Sequence, residues 1–249
     1  MRYLKTYRVF ESEPAAPTLT EDQIGWLNSC TAGSWKLNPT TRLIDVDGDF
    51  DCSSKSLTDL KGIKFGKVSG DFSCGNNQLT SLDGAPQSVG WNFSCGNNQL
   101  TSLDGAPQTV DGSFDCENNL LTSLEGAPQS VGWHFNCSNN QLTDLKGAPQ
   151  TVDGGFYCDN NLLTSLDGAP QSVEGSFYCH DNPVSDETLE SIFALMQKGK
   201  SYQQALEEHW PEMGNEDRAL MYKQMPNLPP EEVRKYQALA TVNRMKGYL

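Results

Sequence analysis

The sequence predicts an α/β repeat protein: a solenoid of stacked turns, with parallel strands on a concave face and turns on the convex side, closed by a helical cap at each end. Three observations predict it. Eight cysteines fall at 30, 52, 74, 95, 116, 137, 158 and 179, a spacing of 21 residues, or 22 at the divergent early copy. Around them one segment recurs, seen at 71–89 as DFSCGNNQLTSLDGAPQSV, with close copies from Asn92, Ser113, His134 and Gly155, a truncated one from Ser176 and a divergent one from Asp49. The flanks leave the repeat and carry helix-start signals instead. A fixed period of this length decides the architecture before any local reading. The expected organisation is a tail over 1–19, an N-terminal helical cap over 20–43, a solenoid of about seven repeats over 44–184, and a C-terminal helical cap over 185–249.

The tail, from Met1 to Glu11, has no continuous apolar core of about 7–15 residues and no small-residue cleavage site, so it does not read as a secretory signal. No apolar run reaches the roughly 18 residues that span a bilayer. Both point to the cytoplasm. In the first cap, Thr20 to Gln23 forms a capping box opening a short helix with Ile24 and Leu27 on one side. Trp26 and Trp35 are placed to cover the solenoid end.

Within one unit, Phe72-x-Cys74 alternates apolar with polar, as a short strand with one face inward does. Asn77 follows three residues after the cysteine, then Leu79 and Leu82. This is the core pattern of a leucine-rich repeat, with Phe and Cys in the first two apolar slots. A single unit cannot bury its apolar edge; stacking places Phe on Phe, Cys on Cys and Leu on Leu at roughly 4.8 Å. Asn77, Asn98, Asn119, Asn140, Asn161 and Asn182 then form a ladder, each amide bonding backbone of its own and the next turn. Gly84-Ala85-Pro86 and its copies turn the chain on the far side. The cysteines contain no Cys-x-x-Cys pair and read as core thiols rather than a disulfide or metal framework. The first unit has Lys55 in place of the ladder asparagine, as terminal repeats are atypical.

After Asn182-Pro183-Val184, Ser185 caps a helix whose Leu189, Ile192, Phe193 and Met196 form an apolar stripe. Ser201 to Gln204 is a second capping box, its helix ending at Trp210-Pro211. Asn215 opens a third helix through Met225, and Pro229-Pro230 a fourth through about Met245, with Val233, Tyr236 and Leu239 on one side. These read as a lid over the last repeat.

The repeat F-x-C-x-x-N-x-L-T-x-L-x-G-A-P-Q, over about 44–184, resembles the 20–22-residue leucine-rich repeats of bacteria and their phages. The flanks around Trp26-Leu27-Asn28 and Ile192-Phe193-Ala194 are similar to phage proteins of that kind. The opening Leu4 to Glu11 resembles short N-terminal peptides of tailed-phage proteins, including capsid-targeting peptides of internal head proteins. The resemblance implies a fold and a habit of binding, not a partner. Some bacterial relatives in the wider class carry a ubiquitin-ligase domain with a catalytic cysteine after the repeats; here no cysteine follows Cys179.

Chemistry is sparse. The stretch from Gly62 to Lys67 resembles a P-loop but has one residue too few between its glycines, and Val68 stands where magnesium needs a hydroxyl. Asp45, Asp47, Asp49 and Asp51 share one face of a strand, yet counting from Asp47 puts Cys52 and Thr58 where a calcium loop needs Gly and Glu. Asp83, Asp104, Glu125, Lys146 and Asp167 precede Gly-Ala-Pro, where an Asp bonds its own turn. Asn92-Phe93-Ser94 and Asn136-Cys137-Ser138 match a glycosylation pattern without a secretory signal. His134, His180 and His209 have no triad partner by spacing. No catalytic residue, metal site or cofactor is expected.

With 32 acidic against 18 basic residues, the net charge is −14 and the pI near 4.5, which argues against nucleic acid and favours a basic protein. The outward strand positions vary while the rest of the repeat is near-identical, as a tailored surface does. Trp91, Asn92, Asp115, Glu117, Trp133, His134, Tyr157, Asp159, Tyr178 and His180 are therefore the candidate partner-binding residues of the concave face. The expected function is a non-enzymatic protein-binding module, a phage- or bacterium-encoded adaptor or inhibitor of a bacterial cytoplasmic protein. A phage-particle structural protein and a carbohydrate-binding module are the alternatives. Neither membrane nor nucleic acid is expected as partner, and a long stack between two caps is compatible with a monomer.

Overall fold

The computed structural model describes residues 19–214 and 216–218. The tail peptide from Leu4 to Glu11, the third predicted helix beyond 218, and the fourth, with Val233, Tyr236 and Leu239, lie outside the described residues.

The described chain is a parallel-strand β-solenoid with turns of about 21 residues, like a leucine-rich repeat in its strand and asparagine pattern. It opens with α1 (Glu21–Cys30), started by the expected capping box: Thr20 Oγ1 accepts the Gln23 N–H at 3.2 Å, and the Gln23 side chain accepts the Thr20 N–H at 3.0 Å. Glu21 and Asp22 sit in its first turn, where the helix dipole favours negative charge. Trp26, Leu27 and Cys30 are buried; Ile24, expected beside Leu27, is 38% exposed. The segment expected to be a helical cap is only half helical. It continues as β1 (Thr31–Leu37), antiparallel to β2 (Ile44–Asp51).

Two strand columns grow from β2. Its first half pairs with β3 (Phe65–Val68), and its second half pairs with β4 (Phe72–Ser73). One column continues through β5 (Ser88–Val89), β7 (Thr109–Val110), β9 (Ser130–Val131), β11 (Thr151–Val152) and β13 (Ser172–Val173). The other runs through β6 (Phe93–Ser94), β8 (Phe114–Asp115), β10 (Phe135–Asn136), β12 (Phe156–Tyr157) and β14 (Phe177–Tyr178). The sequence reading has one strand per turn; the structure has two, separated by a three-residue corner such as 90–92. The stretch resembling a P-loop folds as a turn and β3, with Phe65 buried.

Stacking sets the core. Phe50, Phe72, Phe93, Phe114, Phe135, Phe156 and Phe177 form a column with successive ring centroids 5.1–5.6 Å apart and planes within 24°. Each fully buried ring contributes on the order of 1.5–3 kcal/mol, and regular spacing keeps every ring in contact with two others. The Cys and Leu columns are equally buried, as is the Val column up to the partly buried Val173. Trp26 meets the first rings edge-on, 5.3 Å from Phe50 and 6.4 Å from Phe65, while its indole N–H finds no hydrogen-bond partner among the described residues. Trp35 lies half-buried on β1 and donates to Asn28 Oδ1 at 2.9 Å.

The asparagine ladder forms, but it reaches the other way. Asn98 Nδ2 donates to the carbonyls of Cys95 in its own turn and Cys74 in the preceding turn, at 3.0 and 3.1 Å. Its Oδ1 accepts the N–H of Leu79, again in the preceding turn, at 2.9 Å. Asn119, Asn140 and Asn161 repeat this arrangement. Lys55 is tolerated in the first unit because no earlier turn of this kind needs its side chain. The residue before each ladder amide, Asn76 to Asn160 at 21-residue steps, sits at φ near +50° to +56°, a left-handed conformation that asparagine tolerates better than most residues.

At the far turns Gly84 has φ +91°, and a Cβ there would lie 2.2 Å from the Ile63 carbonyl oxygen, so glycine is required. The turn is capped by a serine rather than by the expected carboxylate: Ser81 Oγ accepts the Asp83 N–H at 2.9 Å, and Ser102, Ser123 and Ser165 do the same for Asp104, Glu125 and Asp167. In the unit with Lys146, Asp144 takes the serine's place, and the ammonium bridges Asp144 at 3.1 Å and Asp167 at 3.0 Å.

Two helices follow β14. In α2 (Asp186–Gln197), capped by Ser185, the stripe Leu189, Ile192 and Phe193 is buried and Met196 is half-buried. Phe193 stacks on Phe177 with centroids 3.8 Å apart. α3 (Tyr202–His209) opens on the predicted capping box at Ser201. Asp217, on the short helical stretch 216–218, accepts from the hydroxyls of Ser185 and Thr188, both at 2.6 Å, and ties that stretch to the start of α2.

Candidate functional site

The ten candidate residues stand on the Phe-column strands, on the corners that precede them, or, for Glu117, Asp159 and His180, two residues beyond the strand ends. The slot just before Phe is built by backbone chemistry. Asp49 Oδ1 accepts the N–H of Asp71, Asp71 that of Asn92, Asn92 that of Ser113, Ser113 Oγ that of His134, and His134 Nδ1 that of Gly155, at 2.8–3.3 Å. Any acceptor satisfies this second ladder, which accounts for the variety of the slot without a partner. Asn92 and His134 thus have a structural duty that their variability alone concealed. The bond also fixes the His134 tautomer: Nδ1 accepts, so the ring proton sits on Nε2.

The ladder stops at Gly155. A Cβ there would meet the Tyr157 ring and hydroxyl at 2.9 Å, because that ring lies across the glycine. The Ser176 N–H consequently has no side-chain acceptor among the described residues. One ladder bond is given up where the first tyrosine of the column is laid down.

The corners alternate in bulk. Trp91 and Trp133 alternate with Gly70, Gly112, Gly154 and Gly175, while Asp111, Asp153 and Glu174 precede the glycines of the later units. A Cβ on Gly154 would sit 2.5 Å from Trp133 Cδ1, and one on Gly112 would be 2.7 Å from the Trp91 carbonyl carbon. Neighbouring turns at strand spacing have no room for two bulky corners in register. Trp91 and Trp133 remain 64% and 57% exposed.

The structure brings five candidates into one row. Trp133 stacks on His134 at 5.0 Å, His134 meets Tyr157 edge-on at 5.6 Å, Tyr157 stacks on Tyr178 at 5.1 Å and 10°, and Tyr178 lies 6.0 Å from His180. Trp91, two turns from Trp133, stands apart from these contacts. The carboxylates lie alongside. Asp115 accepts the Glu117 N–H at 3.0 Å; burial, followed by the neighbouring Glu117 charge, pushes its carboxyl up from the ordinary value, partly offset by that N–H bond. Glu117 Oε2 accepts from Asn136 Nδ2 at 2.9 Å, and Asp159 accepts the His180 N–H at 2.9 Å. His180 Nδ1 lies 3.1 Å from Asp186, which raises the histidine above its ordinary value.

Nothing in this row pairs a nucleophile with a base. The eight cysteines are buried and free, and burial drives their thiols upward. Among the described residues no group of three or more His, Cys, Asp or Glu side chains is arranged to hold a metal, the four aspartates of β2 included. Asp45, Asp49 and Asp51 each accept a backbone N–H, and Asp47 accepts from Ser69 Oγ. Sequence reasoning missed the exposed corner carboxylates Asp111, Asp153 and Glu174; the signal available was their alternation with tryptophan. No helix among the described residues is long and apolar enough to cross a membrane.

No protein-family model, no curated protein and no solved structure matches the chain.

Proposed function

We propose that the chain is a non-enzymatic protein-binding solenoid of the leucine-rich-repeat type with helical caps, encoded by a phage or bacterium and acting as an adaptor or inhibitor of a bacterial cytoplasmic protein. One observation carries the reading: the continuous surface row from Trp133 through His134, Tyr157 and Tyr178 to His180, with Trp133 more than half exposed. Aromatic anchors with polar surroundings are the usual energetic centre of protein interfaces.

Affinity capture of tagged protein from bacterial lysate, beside a Trp133→Ala/Tyr157→Ser/Tyr178→Ser variant, tests it. The expected result is a host protein retained by the wild type, lost by the variant, and bound again when purified. A captured protein that the folded variant retains equally well would remove this surface from the proposal. Selective retention of glycans and no protein would replace it with the carbohydrate reading.

A further inference from the structure

We infer that the aromatic row is a docking surface for an exposed arginine-rich segment of a partner protein; this rests on the protein-binding reading and names the chemistry of the partner. The first ground is charge. Residues 69–184 contain thirteen carboxylates and a single lysine, Lys146. That lysine is held between Asp144 and Asp167 at the far turns. The face carrying the row therefore has no lysine or arginine of its own, and only histidines could supply positive charge.

The second ground is arrangement. Rings and carboxylates run side by side along the stack: Asp115 and Glu117 in one turn, Tyr157 with Asp159 two turns on, then Tyr178. Glu117 and Asp159 are held by hydrogen bonds from Asn136 and the His180 backbone, so they need little reordering to meet a ligand. No lysine or arginine forms an ion pair with Asp115, Glu117 or Asp159 among the described residues.

The third ground discriminates arginine from lysine. A guanidinium is planar, stacks on an aromatic ring and still presents its edge donors to a carboxylate beside that ring; an ammonium is a strongly hydrated point charge that does one or the other. A turn that carries Tyr157 with Asp159, flanked by the exposed rings of Trp133 and Tyr178, rewards the planar ion.

The test uses the full chain and two short labelled peptides, one alternating arginine with glycine and one alternating lysine with glycine, followed by fluorescence anisotropy at several salt concentrations. The expected result is an arginine peptide bound about tenfold more tightly than its lysine counterpart, the sum of two or three ring contacts. Trp133→Ala/Tyr157→Ser/Tyr178→Ser removes that preference and leaves a weak, salt-sensitive attraction. Glu117→Gln/Asp159→Asn keeps the rings and the internal hydrogen bonds, and weakens both peptides. Thermal unfolding of each variant establishes that the fold survives. Equal affinity for the two peptides, a preference that persists in the folded ring variant, or no binding of either peptide would overturn the inference. A lysate partner captured through this face by a surface without arginine would overturn it too, while leaving the protein-binding function standing.

Discussion

Each cysteine carbonyl from Cys74 to Cys158 is shared by two ladder asparagines, and this sharing predicts how mutations in the ladder combine. Cys116 O accepts from Asn119 Nδ2 and from Asn140 Nδ2, each at 3.1 Å. Asn119→Ala leaves the Leu100 N–H, bonded at 2.9 Å in the native protein, without an acceptor. The Cys95 and Cys116 carbonyls survive that loss, because Asn98 and Asn140 still serve them. A single replacement therefore costs about 1–3 kcal/mol, the penalty of one orphaned buried donor. Asn119→Ala/Asn140→Ala removes both donors to Cys116 O, and the double variant loses a further roughly 1–3 kcal/mol beyond the sum of the singles. Asn98→Ala/Asn140→Ala shares no carbonyl and should add to within about 0.5 kcal/mol. Equilibrium urea unfolding of the three single and two double variants beside wild type measures both couplings. Equal coupling in the adjacent and the spaced pair would refute the shared-carbonyl argument.

Other consequences are simpler to check. The thiols should resist a disulfide reagent near neutral pH in the native protein and titrate as eight in denaturant, because all are buried and burial pushes Cys179, near the solenoid's C-terminal end, up to about 12; rapid labelling before unfolding would contradict the packing. Gly25→Ala, inside α1 with nothing within 4 Å of the new methyl, should stabilise by about 0.5–1 kcal/mol. Gly126→Ala, at φ +93° with the Leu103 carbonyl 2.7 Å away, should destabilise by more than that. The two thermal midpoints moving the same way would count against the turn geometry. His180 should titrate above 6.5 by NMR and return toward that value in Asp186→Asn. Its contribution to stability is complete below the unfolded value and is lost as pH rises through the raised one; an unchanged midpoint in the variant would discard the pairing.

The period, the Phe, Cys and Leu columns and the existence of the asparagine ladder were legible in the sequence because stacked turns repeat one chemical environment, and repetition is visible in one dimension. The Ser-Val strands were not. Two residues beside a Gly-Ala-Pro turn carry no local strand signal, and their pairing partners lie about a full turn away. The ladder's direction was equally hidden, since an amide side chain has no preference for the turn before over the turn after until the backbone path is known. At the surface, variation singled out Trp133, His134, Tyr157 and Tyr178 but not the reason each could vary. The sequence marks His134 as a contact residue, while its Nδ1 also supports the Gly155 backbone.

The backward reach of the ladder amides gives the solenoid a polarity of assembly. Leu79, Leu100, Leu121 and Leu142 each have their N–H satisfied by a residue that lies 19 positions later in the chain. As the polypeptide leaves the ribosome, every turn is completed by the one made after it, and only the newest turn has its inner loop unsatisfied. Growth from the amino end thus never accumulates open backbone, whereas removing turns from the carboxyl end always exposes fresh donors, the leucine N–H among them. The two ends of the stack are chemically different surfaces even where their side chains are the same.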